Sequence, residues 1–276
     1  MTAAAGDVVL VADVGNTRIK LARVAGGGPL PAVDRRQDLL SRDFRPANFE
    51  RWLAGAAAGP ALLLVAAVNE AAAARLEAAV AAASATGPRP VRRRRVGREH
   101  LGIAARVDAP DRVGIDRLCA AAAAAVARPG RPVVVVDCGT ATTVDMVSAA
   151  GEFLGGAILP GPTLLAHALA EGTSRLPEVA ALDTAAPPPM PGRSTQAAIA
   201  AGIGWGLRGA VARLVAEARA ALGGTADLVL TGGSAGVVRD ALPDAVEMPD
   251  LVLAGIALAA ARLGPAAVLG TSPDPR

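Results

Sequence analysis

The sequence predicts an α/β fold made of two similar domains in tandem with a cleft between them, and three observations carry that expectation. The apolar run Val8 to Ala12 leads into Asp13-Val14-Gly15-Asn16, and a second apolar run, Val133 to Val136, leads into Asp137-Cys138-Gly139-Thr140. Each is followed at once by another strand-like stretch, Ile19 to Val24 and Thr142 to Val147. Between further apolar runs lie alanine-rich stretches of helical length, the alternation expected of strands and helices packed in layers. The two acidic loops stand 124 residues apart, too far for a stacked repeat. They divide the chain into residues 1–129 and 130–276, with the boundary near Pro129 to Pro132.

In order, Val8 to Val14 reads as a buried strand, Gly15-Asn16-Thr17 as a tight turn, and Ile19 to Val24 as the returning strand of a hairpin. Asn48 to Ala58 has helical spacing. Leu62 to Val68 is continuously apolar, as a buried parallel strand requires. Glu70 to Ala83 is an alanine-rich helix, and Val91 to Val96, enclosing four arginines, reads as an exposed strand. Asp116 to Ala127 is helical and stops at Pro129-Gly130. In the second half, Val133 to Val136, Thr142 to Val147 and Phe153 to Leu159 read as strands, the last two separated by Gly151. Gly161 to Glu171 is a helix and Leu182 to Gly192 a proline-rich loop. Ser194 to Leu222 is a long helical stretch interrupted by Gly202, Gly204, Gly206 and Gly209. Leu228 to Leu230 is a strand running into Thr231-Gly232-Gly233, Leu251 to Leu263 is a closing helix, and the tail from Gly264 is expected to be disordered.

Composition narrows the function. Of 276 residues, 52% are hydrophobic and the mean hydropathy is +0.40, but much of this is alanine. The core therefore depends on close helix packing more than on large side chains. Aromatic residues make up 2% and tyrosine is absent, which argues against base stacking on single-stranded nucleic acid. A net charge of +3 suits an anionic ligand such as a nucleotide without pointing to DNA. Cys119 and Cys138 lack metal-ligand spacing, so a reduced, cytoplasmic chain is expected. The apolar run Leu118 to Ala127 is far short of the ~20 residues of a membrane span, and the N-terminus carries no signal pattern. Neither nucleic acid nor membrane is an expected partner.

Lys20 is the only lysine among 28 basic residues, and it closes the segment Asp13-Val14-Gly15-Asn16-Thr17-Arg18-Ile19-Lys20. Where arginine has replaced lysine everywhere else, the survivor marks a place for a compact ammonium rather than a planar fork. In that loop Gly15 lets backbone approach a phosphate, and Asn16 and Thr17 can donate to its oxygens. Lys20 supplies charge, and Asp13 can hold Mg2+ directly or through water. Asp137-Cys138-Gly139-Thr140-Ala141-Thr142-Thr143 repeats this logic, and the pair fits a triphosphate gripped from both sides. Thr231-Gly232-Gly233-Ser234 fits backbone packed against a nucleoside ring. Asp116, in Gly114-Ile115-Asp116-Arg117, reads either as a helix N-cap or as the acceptor of a substrate hydroxyl proton with Arg117 beside it for an anion. Arg92 to Arg95 with Arg98 read as a solvated strand edge, with a patch for nucleic acid or another polyanion as the alternative. His100 and His167 have no partners at metal or triad spacing.

The ordered set Asp13-x-Gly-Asn-Thr-x-x-Lys20, Gly114-x-Asp-Arg117, Asp137-x-Gly-Thr-Ala-Thr-Thr and Thr231-Gly-Gly resembles the type III pantothenate kinases. Phe153 to Gly161, Leu176-Pro177 and Gly192-Arg193-Ser194-Thr195 extend the likeness, which runs from about residue 8 to 263. The family belongs to the superfamily of acetate and sugar kinases, heat-shock ATPases and actin. The resemblance implies two ribonuclease-H-like (actin-like ATPase) domains and ATP-dependent phosphorylation of pantothenate, the first step toward coenzyme A. It implies a first phosphate loop at Asp13, Val14, Gly15, Asn16, Thr17, Arg18, Ile19 and Lys20, with Thr140 also on ATP. It implies a pantothenate site at Gly114, Ile115, Asp116, Arg117 and Thr195, with Asp116 as general base. Asp137 would coordinate a monovalent cation, K+ or ammonium, with Mg2+ accompanying ATP, in a homodimer. Where the family commonly carries a tyrosine and then an asparagine, this chain has Val107 and Ala109. Two other readings follow: a related kinase with another small hydroxylated acceptor, and a regulatory protein that binds nucleotide without turnover.

Overall fold

The structure, a computed structural model, describes residues 8–26, 28–86, 90–179 and 186–263. They form two compact units: residues 8–103, 111–127 and 251–263 in the first, 104–110 and 128–250 in the second.

Unit 1 is built on a five-stranded sheet of β1 (Val8–Val14), β2 (Arg18–Val24), β3 (Val33–Leu40), β4 (Ala61–Ala67) and β5 (Val91–Arg95), in the order β3-β2-β1-β4-β5. The first three strands are an antiparallel meander; β4 lies parallel to β1, and β5 parallel to β4. Helices α1 (Pro46–Ala56) and α2 (Glu70–Thr86) make the crossovers, and α3 (Ile115–Ala127) follows β5. Unit 2 repeats the plan with β6 (Val133–Cys138), β7 (Ala141–Val147), β8 (Phe153–Pro160), β9 (Asp227–Thr231) and β10 (Val246–Glu247), in the order β10-β9-β6-β7-β8. Here too a meander, β6 to β8, is followed by strands parallel to its first member, with β9 on β6 and β10 on β9. Each unit is ribonuclease-H-like, and α4 (Pro162–Glu171) and α5 (Thr195–Ala221) join β8 to β9.

Burial explains which strands the sequence announces. Leu62, Leu63, Leu64 and Val65 in β4 are buried on both faces, so the strand reads as an unbroken apolar run. One face packs with Phe49, Trp52, Leu53 and Leu76 of α1 and α2. The other is covered by α3 and by α6 (Leu251–Arg262), which packs on β1 and β4. A cut near residue 129 would leave α6 with the second half, whereas it packs into unit 1. Small side chains bring α6 and α3 together: a Cβ on Gly255 would lie 2.0 Å from the Cys119 carbonyl oxygen.

Two strands carry no apolar signal. β3, Val-Asp-Arg-Arg-Gln-Asp-Leu-Leu, is a polar edge strand with one buried residue, Leu39, and Arg23 of β2 bonds Asp34 through Nε at 2.7 Å. β10 spans two residues. The glycines of α5 do not interrupt it. Gly204 faces Pro188, where a Cβ would come within 2.7 Å, and Gly202, Gly206 and Gly209 face open space. By length and composition α5 is long and apolar enough to cross a membrane, yet it carries Arg208, Arg213, Glu217 and Arg219, and nine of its residues are buried within unit 2. On edge strand β5 the alternate arginines Arg93 and Arg95 are exposed and turn toward α2, Arg93 pairing with Glu77 and Arg95 with Glu70 and Glu77. Residues 182–185 of the proline-rich stretch and the tail from 264 lie outside the described residues.

These glycines give opposite predictions. Gly255→Ala is expected to lower stability by about 2 kcal/mol, because the new methyl meets backbone that cannot yield. Gly55→Ala, in α1 with open space around it, is expected to raise stability by about 0.5–1 kcal/mol. Urea denaturation of both variants checks the pair.

Candidate active site

In unit 1 the hairpin register sets Lys20 directly opposite Asp13 on β1 and, on its other side, opposite Asp38 on β3. Lys20 Nζ lies 3.2 Å from Asp13 Oδ2. Burial pushes the Asp13 carboxyl above its ordinary range; the Lys20 ammonium offsets only part of this, and the charge of Asp116 adds to it. Burial alone would raise Asp38 as well, but Arg36 hydrogen-bonds both its oxygens and, with Lys20 and Arg18, holds it below its ordinary range. The lone ammonium thus stands in a row of carboxylates across three strands.

The turn itself is closed by the Gly15 N–H donating to the Arg18 carbonyl at 2.9 Å. Asn16, Thr17 and Arg18 are exposed at its tip. Val14 and Ile19 are buried in the sheet core, so their side chains serve packing. Arg18 reaches Asp38 at 3.7 Å.

Asp116 is the second residue of α3, not its N-cap; Gly114 supplies the capping carbonyl, which accepts from Leu118 N at 3.2 Å. The Asp116 carboxylate accepts from Arg117 N at 2.9 Å and folds back over Gly114, where a Cβ would meet Oδ1 at 2.5 Å. That contact gives the glycine of Gly-x-Asp-Arg a reason: it leaves room for the carboxylate. Asp116 and Asp13 both act on the buried Cys119 thiol, which burial holds well above its ordinary range. Asp13, Lys20 and Asp116 are therefore gathered in unit 1.

In unit 2, Asp137 on β6 stands opposite Thr143 on β7 and Thr231 on β9. Gly232, at φ +97°, lies against this strand end, where a Cβ would come within 2.5 Å of Asp137 Oδ1 and 2.4 Å of the Cys138 carbonyl. The Ser234 N–H donates to that carbonyl at 2.8 Å. Gly232 thus packs against the protein's own backbone, while Gly233 has open space before it. Gly161 closes on the second loop in the same way, 2.2 Å from the Gly139 carbonyl for an added Cβ, and leaves Thr140 exposed. Burial, then the charge of Asp137, pushes the Cys138 thiol up to about 12, which removes it as a nucleophile.

Ser194 caps α5, its Oγ accepting from Ala197 N at 3.1 Å, and Thr195 is the exposed first residue of that helix. Residues 104–106 run along the start of β8, with Arg106 N donating to Phe153 O at 2.8 Å. Val107 then packs beside Gly155, its Cγ1 3.3 Å from where a Cβ there would sit. His100 accepts from Gly97 N, and His167 pairs with Glu171. Sequence reading passed over Asp38 and Ser41. The nearest signal is that both follow the hairpin on the polar strand β3 and its exit, a stretch without apolar periodicity.

The family model for type III pantothenate kinases matches residues 9–217. A type III pantothenate kinase of Janthinobacterium sp. is 36% identical over 253 residues, covering 90% of this chain and 96% of that protein. One of Rhodopirellula baltica is 48% identical over 170 residues, a match that spans 59% of either chain. Among solved structures, a putative Baf family transcriptional activator from Campylobacter jejuni is similar at TM-score 0.56 and 19% identity, covering 92% of this chain and 98% of that one. A putative 2-dehydro-3-deoxygalactonokinase from Sinorhizobium meliloti is similar at TM-score 0.56 and 18% identity, covering 93% and 99%. These two likenesses are likenesses of fold.

The Asp13 carboxyl yields a pH prediction. Its folded value lies above the unfolded value of 3.8, so its contribution to stability is present below that pH and is lost as pH rises through the folded value. Asp13→Asn removes this loss. The variant's Tm relative to the native chain is expected to rise between about pH 4 and pH 7. Thermal melts across that range check it; a flat difference would mean that Lys20 fully compensates the burial.

Proposed function

This chain belongs to the type III pantothenate kinase family, and on that footing we propose that it transfers the γ-phosphoryl group of ATP to the terminal hydroxyl of pantothenate, giving 4'-phosphopantothenate. The observation that supports this most is the gathering of Asp13, Lys20 and Asp116 in unit 1. Phosphoryl transfer asks little covalent chemistry of a protein; it asks for positioning and for charge where charge develops. Lys20, braced by Asp13, presents an ammonium to the phosphates, and Asn16, Thr17 and Thr140 donate hydrogen bonds. Asp116 takes the proton of the pantothenate hydroxyl as its oxygen bonds to phosphorus and the bond to ADP breaks. Gly114, Ile115 and Arg117 line the acceptor site, Arg117 facing its carboxylate, and Thr195 adds a hydroxyl.

Mg2+ is commonly held by one or two carboxylates together with substrate phosphates. Asp13 at the end of β1 fits that role, and among the described residues no group of three or more acidic, histidine or cysteine side chains is placed to hold an ion without the nucleotide. When bound, Mg2+ shields phosphate charge. Asp137, opposite Thr143 and Thr231, offers the hard oxygen donors that K+ or ammonium takes.

The protein works as a cytoplasmic homodimer in this reading. Exposed apolar side chains in unit 2 support the association: Ile158, Leu164, Met190 and Trp205 of α5, beside the open glycines Gly202 and Gly206. One feature favours a second acceptor of similar chemistry: Val107 stands where the family resemblance implies a tyrosine, and the chain has none.

ADP release with Mg2+ and K+, with and without pantothenate, tests the function. Pantothenate-dependent release with phosphopantothenate detected by mass is expected; release indifferent to pantothenate would sink the acceptor assignment. Asp116→Ala is expected to cut turnover by at least about 100-fold while ATP binding stays near normal. Retained turnover would reduce Asp116 to a helix-terminus residue. Val107→Tyr is expected to lower the KM for pantothenate with kcat little changed; a raised KM would mean that the ring blocks the site.

A further inference from the structure

Ser41 is a serine with no motif around it, just past β3, yet it is 2% exposed and bonded to both ends of the first loop. Its N–H donates to the Thr17 carbonyl at 2.9 Å, and its Oγ donates to the Gly15 carbonyl at 2.9 Å. Arg75 of α2 in turn donates from Nη2 to the Ser41 carbonyl at 2.6 Å. Just upstream, the Val14 carbonyl accepts from Val68 N at 3.1 Å. Three carbonyls of the loop, those of Val14, Gly15 and Thr17, are therefore held by donors from the strand ends and the exit of β3.

The consequence follows from the planar trans peptide, in which C=O and the next N–H point in opposite directions. With the Gly15 carbonyl tied to the Ser41 hydroxyl, the Asn16 N–H is turned the other way, at an exposed position of the turn. A phosphate approaching that side meets a donor and no carbonyl dipole; released, the same peptide can rotate and present its oxygen, which repels an anion.

We propose that Ser41, braced by Arg75, is a positioning residue for nucleotide phosphate: it fixes the orientation of the Gly15–Asn16 peptide. Nothing is transferred to or from Ser41, and it touches no reacting atom. The inference rests on the nucleotide-binding half of the function proposed above and is independent of the acceptor.

Calorimetric titration of the full chain with a non-hydrolysable ATP analogue and, separately, with adenosine reads it directly. Ser41→Ala is expected to weaken the analogue by about fivefold to tenfold, the worth of one intramolecular hydrogen bond, and to leave adenosine unchanged. Ser41→Thr, which keeps the hydroxyl, is expected to restore binding. Arg75→Met, at an exposed position that folding tolerates, is expected to shift the analogue in the same direction by a smaller factor. Equal losses for analogue and adenosine, or none in either serine or arginine variant, would overturn the assignment. A native chain that binds the analogue but does not phosphorylate pantothenate would refute the acceptor reading and leave this one standing.

Discussion

The constraint on which the rest of unit 1 depends is the antiparallel register of β1 and β2. It sets Asp13 against Lys20, brings a buried carboxylate and the chain's only lysine to 3.2 Å, and does so at the mouth of a four-residue turn. A slip of one residue would send Lys20 into the core face occupied by Ile19 and Leu21 and expose those side chains instead. Apolar alternation therefore enforces the functional register: the residues that make the hairpin fold are the ones that aim the ammonium. The burial that holds Asp13 also works against its charge, and such a conflict between local environment and ionisation is one that functional sites commonly carry.

Close backbone approach is the second theme, and it links composition to function. Glycines stand where two backbones or a backbone and a carboxylate meet: Gly255 on Cys119, Gly161 on the second loop, Gly232 on Asp137 and Cys138, Gly114 under Asp116. With few aromatic residues and much alanine, the protein gains packing density by bringing main chains together. In the loops the buried Ser41 hydroxyl occupies the Gly15 carbonyl, while Thr140 stays at the surface.

The two units share strand order but not chemistry. Unit 1 has the lysine, the paired carboxylate and Asp116; unit 2 has Asp137 among threonines and a glycine turn, with no lysine at all. A duplicated scaffold thus carries a loop flanked by a lysine once and a hydroxyl-lined loop once. Strand-end loops of this kind accept such variation because their backbone is set by the sheet beneath them.

By itself the sequence determined the elements that are continuous and local: the buried strands β1, β4, β6 and β9, whose apolar runs are long because both faces are covered, and the alanine-rich helices. It also determined the motif residues Asp13, Lys20, Asp116 and Asp137, whose types and order carry the family resemblance. Only the tertiary structure decided what depends on register and on which element covers which face. It drew polar β3 into the sheet through partners distant in sequence, and so placed Asp38 beside Lys20 and Ser41 under Gly15. It returned α6 to unit 1, where its buried face packs on α3, β1 and β4. It kept α5 continuous through its glycines, since packing outweighs the ~1 kcal/mol that each glycine costs a helix. And it set Asp116 two positions past the cap, as the second residue of a helix whose capping carbonyl comes from Gly114, with its carboxylate accepting from Arg117 N.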